Sequence, residues 1–490
     1  MNPPSKPFVR PTGPCGVRLT WALAGVVSLT ACANFSGIEP QAQALSPEQL
    51  QLKGADASPA VAGPHLSSNW WESFEDAQLN RLVTEALASS PSLRVAQTRL
   101  ERVQAVQDGL RGTEGPQVNA SLDMTRQRFS ANSIYPPALG GQVYNLGTLQ
   151  LGASWELDFF GKNRAALNAA LGQEQAALAD AQAARLLLAS SVTRTYFQWL
   201  RLNAQLGIAQ RTLAQREQTR NLVQDRVNAG LDTQLELQQS AGALPDARQH
   251  IEMLQEQKQL AENALAALIS KPNVPLALIP PAQAATKLVV VSNSVPLDLL
   301  ARRPDIAAAQ QRVRAARFDV DSAKAQFYPN INLAAFVGLS SIGFDRLTHA
   351  GSEQWGAGPA LHLPIFDGGR LRANLRGKTA DLDGAVASYN SVVIDAVHDV
   401  ADQLASAASI TKQQTEQAQA QTHAEAAYAI ATQRYQAGLG TYLNVLSAET
   451  AVLTQRRAAA DLHARALDTQ VQLMRALGGG FQDAAATDAR

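Results

Sequence analysis

The chain has 490 residues and carries 42 Lys+Arg against 42 Asp+Glu, a formal net charge of +0. That balance excludes the basic surplus of a nucleic-acid groove, and a charged fraction of 17% is low beside the roughly 25% of soluble domains. The two cysteines, Cys15 and Cys32, are too few and too close to the N-terminus for a disulfide framework or a cysteine-based metal site.

Residues 1–31 have the form of an export signal. Lys6, Arg10 and Arg18 precede the short apolar run Leu19 to Leu29, which is too short for a bilayer-spanning helix. The run ends at Leu29-Thr30-Ala31-Cys32, which resembles the lipobox of bacterial lipoproteins. There the Cys32 thiol accepts a diacylglyceryl group and becomes the mature N-terminus. Ala33 is not Asp, which in such lipoproteins implies sorting to the outer membrane. Residues 32–65 are rich in Pro, Ser, Gln and Ala and predict a lipidated, flexible tether with little structure of its own.

Residues 66–282 and 283–480 form two repeats of one plan, with 481–490 as a tail. The first opens on Trp70-Trp71 and Phe74, then an amphipathic stretch through Leu79, Leu82, Val83, Ala86 and Leu87. Ser90-Pro91 is an N-cap followed by proline at the first helical position, predicting a helix to about Gly112. Strand periodicity follows in Val118, Ala120, Leu122 and Met124, and again in Leu149, Leu151, Ala153, Trp155, Leu157 and Phe159, each series alternating with mainly polar or small residues. The second repeat offers Ile331, Leu333, Ala335, Val337 and Leu339, then Leu361, Leu363 and Ile365. Segments of about ten residues with this dyad suit a tilted membrane strand; a soluble sandwich with one buried face is the alternative.

Each strand pair precedes a long proline-free stretch, about 163–229 and 371–437. At 1.5 Å per residue such a helix is near 100 Å long, and its Ala-rich stripes suit coiled-coil-like walls. Both stretches end in Ala-Gly-Leu, at 229–231 and 437–439, with glycine as the left-handed residue that turns the chain back. Return helices are predicted at about 234–268, broken by Pro245, and at about 443–477. Arg226, Gly230, Leu231, Thr233 and Leu235 recur as Arg434, Gly438, Leu439, Thr441 and Leu443.

Four strands cannot close a barrel, and open edges are not tolerated in lipid. The chain must therefore pool strands with copies of itself. Two copies give eight strands and a plugged barrel, whereas three give twelve strands and twelve helices around a water-filled tunnel.

Several blocks in fixed order resemble bacterial outer-membrane efflux channels of the TolC, OprM and NodT type. They are Trp70-Trp71 with Phe74, Trp155 to Arg164, Leu300-Ala-Arg-Arg-Pro-Asp-Ile306, Phe327 to Ile331, Leu363 to Arg370, and Arg434 to Leu439. The resemblance implies a mixed α and β membrane protein: a homotrimer with a twelve-strand outer-membrane β-barrel continued by a long periplasmic α-helical barrel. It implies an exit duct working with a periplasmic adaptor and a proton-driven inner-membrane pump. A duct for type I protein secretion is the rival within the fold, and a periplasmic coiled-coil scaffold without a pore is the rival outside it. The resemblance places adaptor contacts at the tips, Arg226, Gly230 and Leu231 with Arg434, Gly438 and Leu439, beside the plain capping role of the glycines. It places a pore constriction at Leu443, Asn444 and Ser447, where Asn444 and Ser447 replace the acids common in the family.

Asp395, His398, Asp399 and Asp402 share one helix face at metal-compatible spacing, but a solvated or pore-lining acidic face accounts for them more simply. No catalytic set, phosphate loop or ATP site is present in the sequence. The reading requires no cofactor beyond the lipid on Cys32, and transport energy must come from a partner.

Cys32 is expected to be the mature N-terminus and to carry lipid. Intact mass of the mature protein checks this: an unmodified Cys32, or cleavage at another bond, removes the anchor from the account.

Overall fold

A computed structural model describes residues 35–45, 67–132, 134, 136–272, 274–280 and 303–481. The expected signal segment, Cys32, residues 46–65 and residues 482–490 lie outside the described residues.

The described chain is built from seven helices and four strands. In order they are α1 (Ala77–Ser89), α2 (Pro91–Gly112), β1 (Gln117–Arg128), β2 (Val143–Leu157), α3 (Lys162–Asn228), α4 (Gln234–Leu268), α5 (Pro304–Ala325), β3 (Asn330–Ile342), β4 (Glu353–His362), α6 (Arg370–Gln436) and α7 (Tyr442–Ala476). A short 3-10 turn, Trp70–Phe74, precedes α1. The two longest helices, α3 and α6, have 67 residues each, and the two return helices, α4 and α7, have 35 each. The duplication read from the sequence is thus a duplication of helix lengths.

The chain divides into two compact units, each drawing on both repeats. The first unit comprises Met1–Gln43, Arg102–Glu174 and Gln311–Ala387. Its centre is one antiparallel sheet in the order β1-β2-β3-β4, in which β2 pairs with β3 and so joins the hairpin of one repeat to that of the other. The register sorts the side chains by chemistry. Ala120, Leu151, Val337 and Trp355 form one cross-strand row; Leu122, Leu149 and Leu339 form another, which ends on Glu353 at the first residue of β4. The rows between carry Ser121, Gln150, Gly338 and Gln354, and Asp123, Thr148 and Ser340. A one-residue slip would turn these rows over, so the alternation fixes the pairing. The apolar face is open: Val118 is 67% exposed and Trp355 80%. A soluble sandwich would cover that face. Both outer strands also have a free edge.

Helices support the sheet from within the same unit. Trp155 donates its indole N–H to the carbonyl of Glu114, just past α2, at 2.8 Å. A Cβ on Gly172 of α3 would stand 3.0 Å from that of Ala315, so the missing side chain lets α5 approach closely. Residues 35–43 have no helix or strand, as expected of a tether, yet they are pinned. Phe35 packs edge-on against Phe327 at 5.1 Å, Arg372 donates to the carbonyl of Ser36, and Asp383 accepts from the backbone of Gln41 and Ala42. With no strand or helix partner, the backbone N–H groups of Gln41 and Ala42 are left to be captured by a side chain of α6.

The second unit comprises Ala44–Glu101, Gln175–Gln310 and Ser388–Arg490. Its largest core gathers Trp70, Trp71 and Phe74 with Leu79, Leu82 and Val83 of α1, Tyr196, Phe197 and Trp199 of α3, and Leu254 and Leu265 of α4. Trp199 and Tyr196 are wholly buried and stack at 5.7 Å. Truncating such an aromatic to alanine costs about 3–5 kcal/mol. The Trp70-Trp71 block of the sequence is therefore the plug of this core.

One expectation is corrected. Pro245 does not break the return helix: α4 runs unbroken from Gln234 to Leu268. Proline removes one donor from the ladder. The carbonyl it leaves without a helical donor is that of Ala241; nearby, Arg216 of α3 donates Nη1 to the carbonyl of Ala243 at 3.0 Å and pairs with Asp246, tying this turn to the neighbouring helix. The surrounding side chains hold the helix through the defect.

The exposed apolar face and the two free edges make a lone protomer untenable in lipid. Cross-linking in detergent is expected to build to three chains and stop. A stable monomer, or a ladder ending at two, contradicts the shared barrel.

Candidate functional site

The ends of the two helical hairpins form the candidate site. Each long helix closes with the same pair of hydrogen bonds: Leu231 N to Arg226 O at 2.8 Å with Gly230 N to Val227 O at 3.0 Å, and Leu439 N to Arg434 O at 2.8 Å with Gly438 N to Tyr435 O at 3.0 Å. These are Schellman closures, with Gly230 at φ +71° and Gly438 at φ +75°. A Cβ at either glycine would meet nothing within 4 Å, so a side chain is opposed there by backbone conformation and not by crowding.

Capping accounts for the glycines but not for the leucines. In a Schellman closure the residue after the glycine commonly packs back on the helix. Here Leu231 is 65% exposed and Leu439 69%. One turn on, Leu235 and Leu443 are exposed as well, at 62% and 65%. Both tips thus present two leucines to solvent, an apolar surface without an internal partner.

The return helices start differently. Thr233 and Glu236 form a capping box at the start of α4. Asn444 stands where the repeat would place the counterpart of Glu236, and Thr441 makes no side-chain cap. Leu443, Asn444 and Ser447 are all exposed, while Tyr442, Val445 and Glu449 are buried on the opposite side of α7. The three expected constriction residues therefore share the face turned away from the protomer's own core.

Sequence reasoning missed the contact that joins the two hairpins. Arg226 grips Asp232 with Nε–Oδ2 at 2.9 Å and Nη2–Oδ1 at 3.3 Å. Tyr435, from the other repeat, donates its hydroxyl to the same carboxylate, and the Arg226 guanidinium lies 4.6 Å above the Tyr435 ring. Val223, Tyr435, Tyr442 and Val445 form a small core around them. Burial by itself would raise the Asp232 carboxyl, but hydrogen bonds from Arg226 and Tyr435 and the charge of Arg226 hold it below its usual range. Burial and the Asp232 carboxylate push the Tyr435 hydroxyl upward. Neither partner follows the repeat: Asp232 corresponds to Gly440 and Tyr435 to Val227. That divergence was the available signal.

Farther along the hairpins, Arg216 joins buried Glu449 with Nε–Oε1 at 3.1 Å. The Arg-Arg-Pro-Asp-Ile block also acquires a purpose. Arg303 is buried, makes a two-point contact with Asp305, and donates Nη1 to the last carbonyl of α7, that of Ala476, at 3.3 Å. It also reaches Asp399, as does Arg475 at 3.8 Å. The four-residue face of α6 is thereby divided, with His398 paired to Asp402 at 3.5 Å and Asp399 turned onto the arginines. Among the described residues no group of three or more His, Cys, Asp or Glu is placed to hold a metal.

The sequence profile described as outer membrane efflux protein matches residues 82–271 and 295–479. The multidrug resistance outer membrane protein MdtQ of Escherichia coli O157:H7 is 33% identical over 476 residues, covering 94% of this chain and 98% of its own. Outer membrane protein OprJ of Pseudomonas aeruginosa is 34% identical over 468 residues, covering 94% and 96%. Among solved structures, the outer membrane protein VceC of Vibrio cholerae superposes with a TM-score of 0.80 at 36% identity, covering 85% of this chain and all of its own.

The Asp232 contact gives a signed pH dependence. A carboxyl depressed in the folded state contributes above its unfolded value and loses that contribution as pH falls through the folded one. The clasp between hairpins is therefore expected to hold from neutrality down through the ordinary carboxylate range and to loosen only below it. In Asp232→Asn it is loose at every pH. Hydrogen exchange of the 226–235 and 434–443 amides reads both; equal protection in the two proteins at pH 7 contradicts the role.

Proposed function

Since this chain belongs to the outer membrane efflux protein family, we propose that it is the exit duct of a tripartite efflux system, conducting drugs or small toxic compounds passively out of the cell. The observation that carries this reading is the sheet: a largely apolar face in register over four strands, with Glu353 at its margin and two free edges. Three copies pool their strands into a twelve-strand barrel in the outer membrane, and the 67-residue helices supply a periplasmic wall. Lipid on Cys32 adds an anchor. The first described residues after it, at Phe35 and Ser36, are fixed beside the foot of β3.

The tips serve as the docking surface for a periplasmic adaptor. Arg226, Gly230 and Leu231 with Arg434, Gly438 and Leu439 present the paired turns, and the exposed leucines provide apolar area for a partner's helix ends. The inner-membrane partner is a proton-driven pump that supplies the energy. Threefold symmetry turns each residue on the exposed face of α7 into a ring. A ring of Leu443 closes the resting pore by excluding water, and Asn444 and Ser447 keep it neutral. Deleting the gene and restoring it on a plasmid tests the duct: drug susceptibility rises on deletion and returns to normal on restoration, with the protein in the outer-membrane fraction. An unchanged susceptibility profile, or protein confined to the periplasm, overturns the proposal.

Two variants separate docking from gating. Gly438→Val forces a β-branched residue into a left-handed turn and is expected to abolish efflux while the trimer still forms; retained drug export in a retained trimer removes the docking role. Leu443→Ser is expected to raise single-channel conductance in a planar bilayer. The wild-type conductance is expected to be small and little changed by millimolar divalent cations. Strong cation block would move the constriction to carboxylates elsewhere on the helices.

A further inference from the structure

The two free edges of the sheet match in phase. Ser340 donates its backbone N–H to the carbonyl of Ser352 at 2.8 Å, and Phe129 donates to that of Gln142 at 2.9 Å. In an antiparallel ladder the residues bonded to a given neighbour recur at every second position. Counted along the registers from those two bonds, even-numbered residues of β4 turn their backbone groups to β3, and odd-numbered residues of β1 turn theirs to β2. The groups directed to the free edges therefore belong to the odd-numbered residues from Glu353 to Leu361 and the even-numbered residues from Val118 to Arg128. The same residues carry the side chains of the largely apolar face, which includes Ala120 and Trp355. Pairing β4 of one copy with β1 of the next thus satisfies hydrogen-bond phase and side-chain face together.

That phase admits every second register, and tilt and charge choose among them. Ladder partners followed across one protomer lead from Val118 to Ala153, Ala335 and Ala357. With Met124 of the next copy opposite Ala357, the path climbs about six residues over four strands, a tilt of about 46° at about 3.3 Å per residue and about 4.8 Å between strands. A slide to Arg126 gives about 54°, steeper than the roughly 35–45° of membrane barrels, and a slide to Leu122 gives about 35°. Charge separates the remaining two. Arg126 and Arg128 are exposed and make no ion pair or side-chain hydrogen bond among the described residues. Glu353 is exposed, with one carboxylate oxygen on the N–H of Gly351 at 2.9 Å, and Trp355 is 80% exposed. The 46° register sets Glu353 opposite Arg128 and Trp355 opposite Arg126, as an ion pair and a cation on a ring. Farther down it sets Ala357 against Met124 and Leu361 against Ala120, small beside large. The shallower register carries Arg128 past the first residue of β4 and leaves it without a counter-charge.

We propose that β4 pairs with β1 of a second copy in this register, and that Glu353 and Trp355 clasp Arg128 and Arg126 of that copy at the loop end of the seam. A hairpin has its register set by the loop that joins its strands. The seam has no loop, so side chains must set it. A charge on the lipid face is costly when single, and the clasp leaves neither the carboxylate nor the guanidinium of the Glu353–Arg128 pair single. The inference rests on the pooled barrel proposed above and adds the residues that fix how its copies meet.

Disulfide trapping of the full chain in isolated outer membranes tests the register. Ser121→Cys combined with Ala360→Cys places two thiols directly opposite across the seam, in a pair without mutual hydrogen bonds and with Cα atoms about 4.5 Å apart. Asn119→Cys or Asp123→Cys, each combined with Ala360→Cys, samples the register two residues to either side. Oxidation is expected to give a covalent trimer from the first pair alone. Charge reversal tests the clasp: Glu353→Arg and Arg128→Glu each lower the temperature at which the detergent-extracted trimer dissociates, and the double variant restores it. Asp345→Arg, in the loop between β3 and β4, leaves it unchanged. A covalent trimer from a displaced pair, or from none of the pairs in a protein that is still trimeric, overturns the register. Additive loss in the double variant overturns the clasp. Both results would leave the pooled barrel standing, whereas a wild-type chain that is monomeric in the outer membrane, or absent from it, defeats the barrel itself.

Discussion

A backbone that enters hydrocarbon must find every hydrogen bond within protein. The four-stranded sheet meets that demand at its two inner ladders and on one side of each outer strand, and nowhere else. The other features follow from the deficit. Other copies must complete the sheet, and symmetry then makes each helix one of a ring. Once the helices line a tunnel, residues that look like idle surface on one chain stand in rings of three in the assembly.

Regular features of this fold were legible because they obey a period. Alternation in Leu149 to Phe159 gives β2, the proline-free runs give α3 and α6, and Ala-Gly-Leu gives the turns at 229–231 and 437–439. Each depends on backbone geometry that neighbouring residues dictate. Pro245 misled for the complementary reason: its local preference is to break a helix, whereas what holds that turn is tertiary, the packing of α4 and the tie from Arg216 to Ala243 and Asp246.

The site was half legible. The glycines and leucines of the tips recur, so the duplication exposes them. The clasp of Arg226, Asp232 and Tyr435 does not recur, and neither does the Arg216–Glu449 pair, whose repeat counterparts are Ala424 and Ala241. A contact between two halves of a duplicated chain requires the halves to differ, since each must supply a different partner. Departures from the repeat carry as much information as the repeat itself. The same holds for Arg303: read in sequence it belongs to a motif before α5, yet its work is done on the final carbonyl of α7, 173 residues away.

The ion pairs between α3 and α7 have a mechanical consequence. Arg194–Asp468, Arg201–Asp461 and Arg216–Glu449 run antiparallel along the two helices. The first two are exposed and contribute little energy, but the three together fix which face of α7 meets α3. Spinning α7 about its own axis breaks all of them at once, whereas bending it beyond Arg216 breaks none. From Arg216 to Leu231 there remain about fifteen residues, roughly 22 Å of helix at 1.5 Å per residue. The hairpin is therefore a beam clamped along its length by charge and pinned once more near its tip by the Asp232 carboxylate, so torsion is resisted at four stations and flexure at the last one alone.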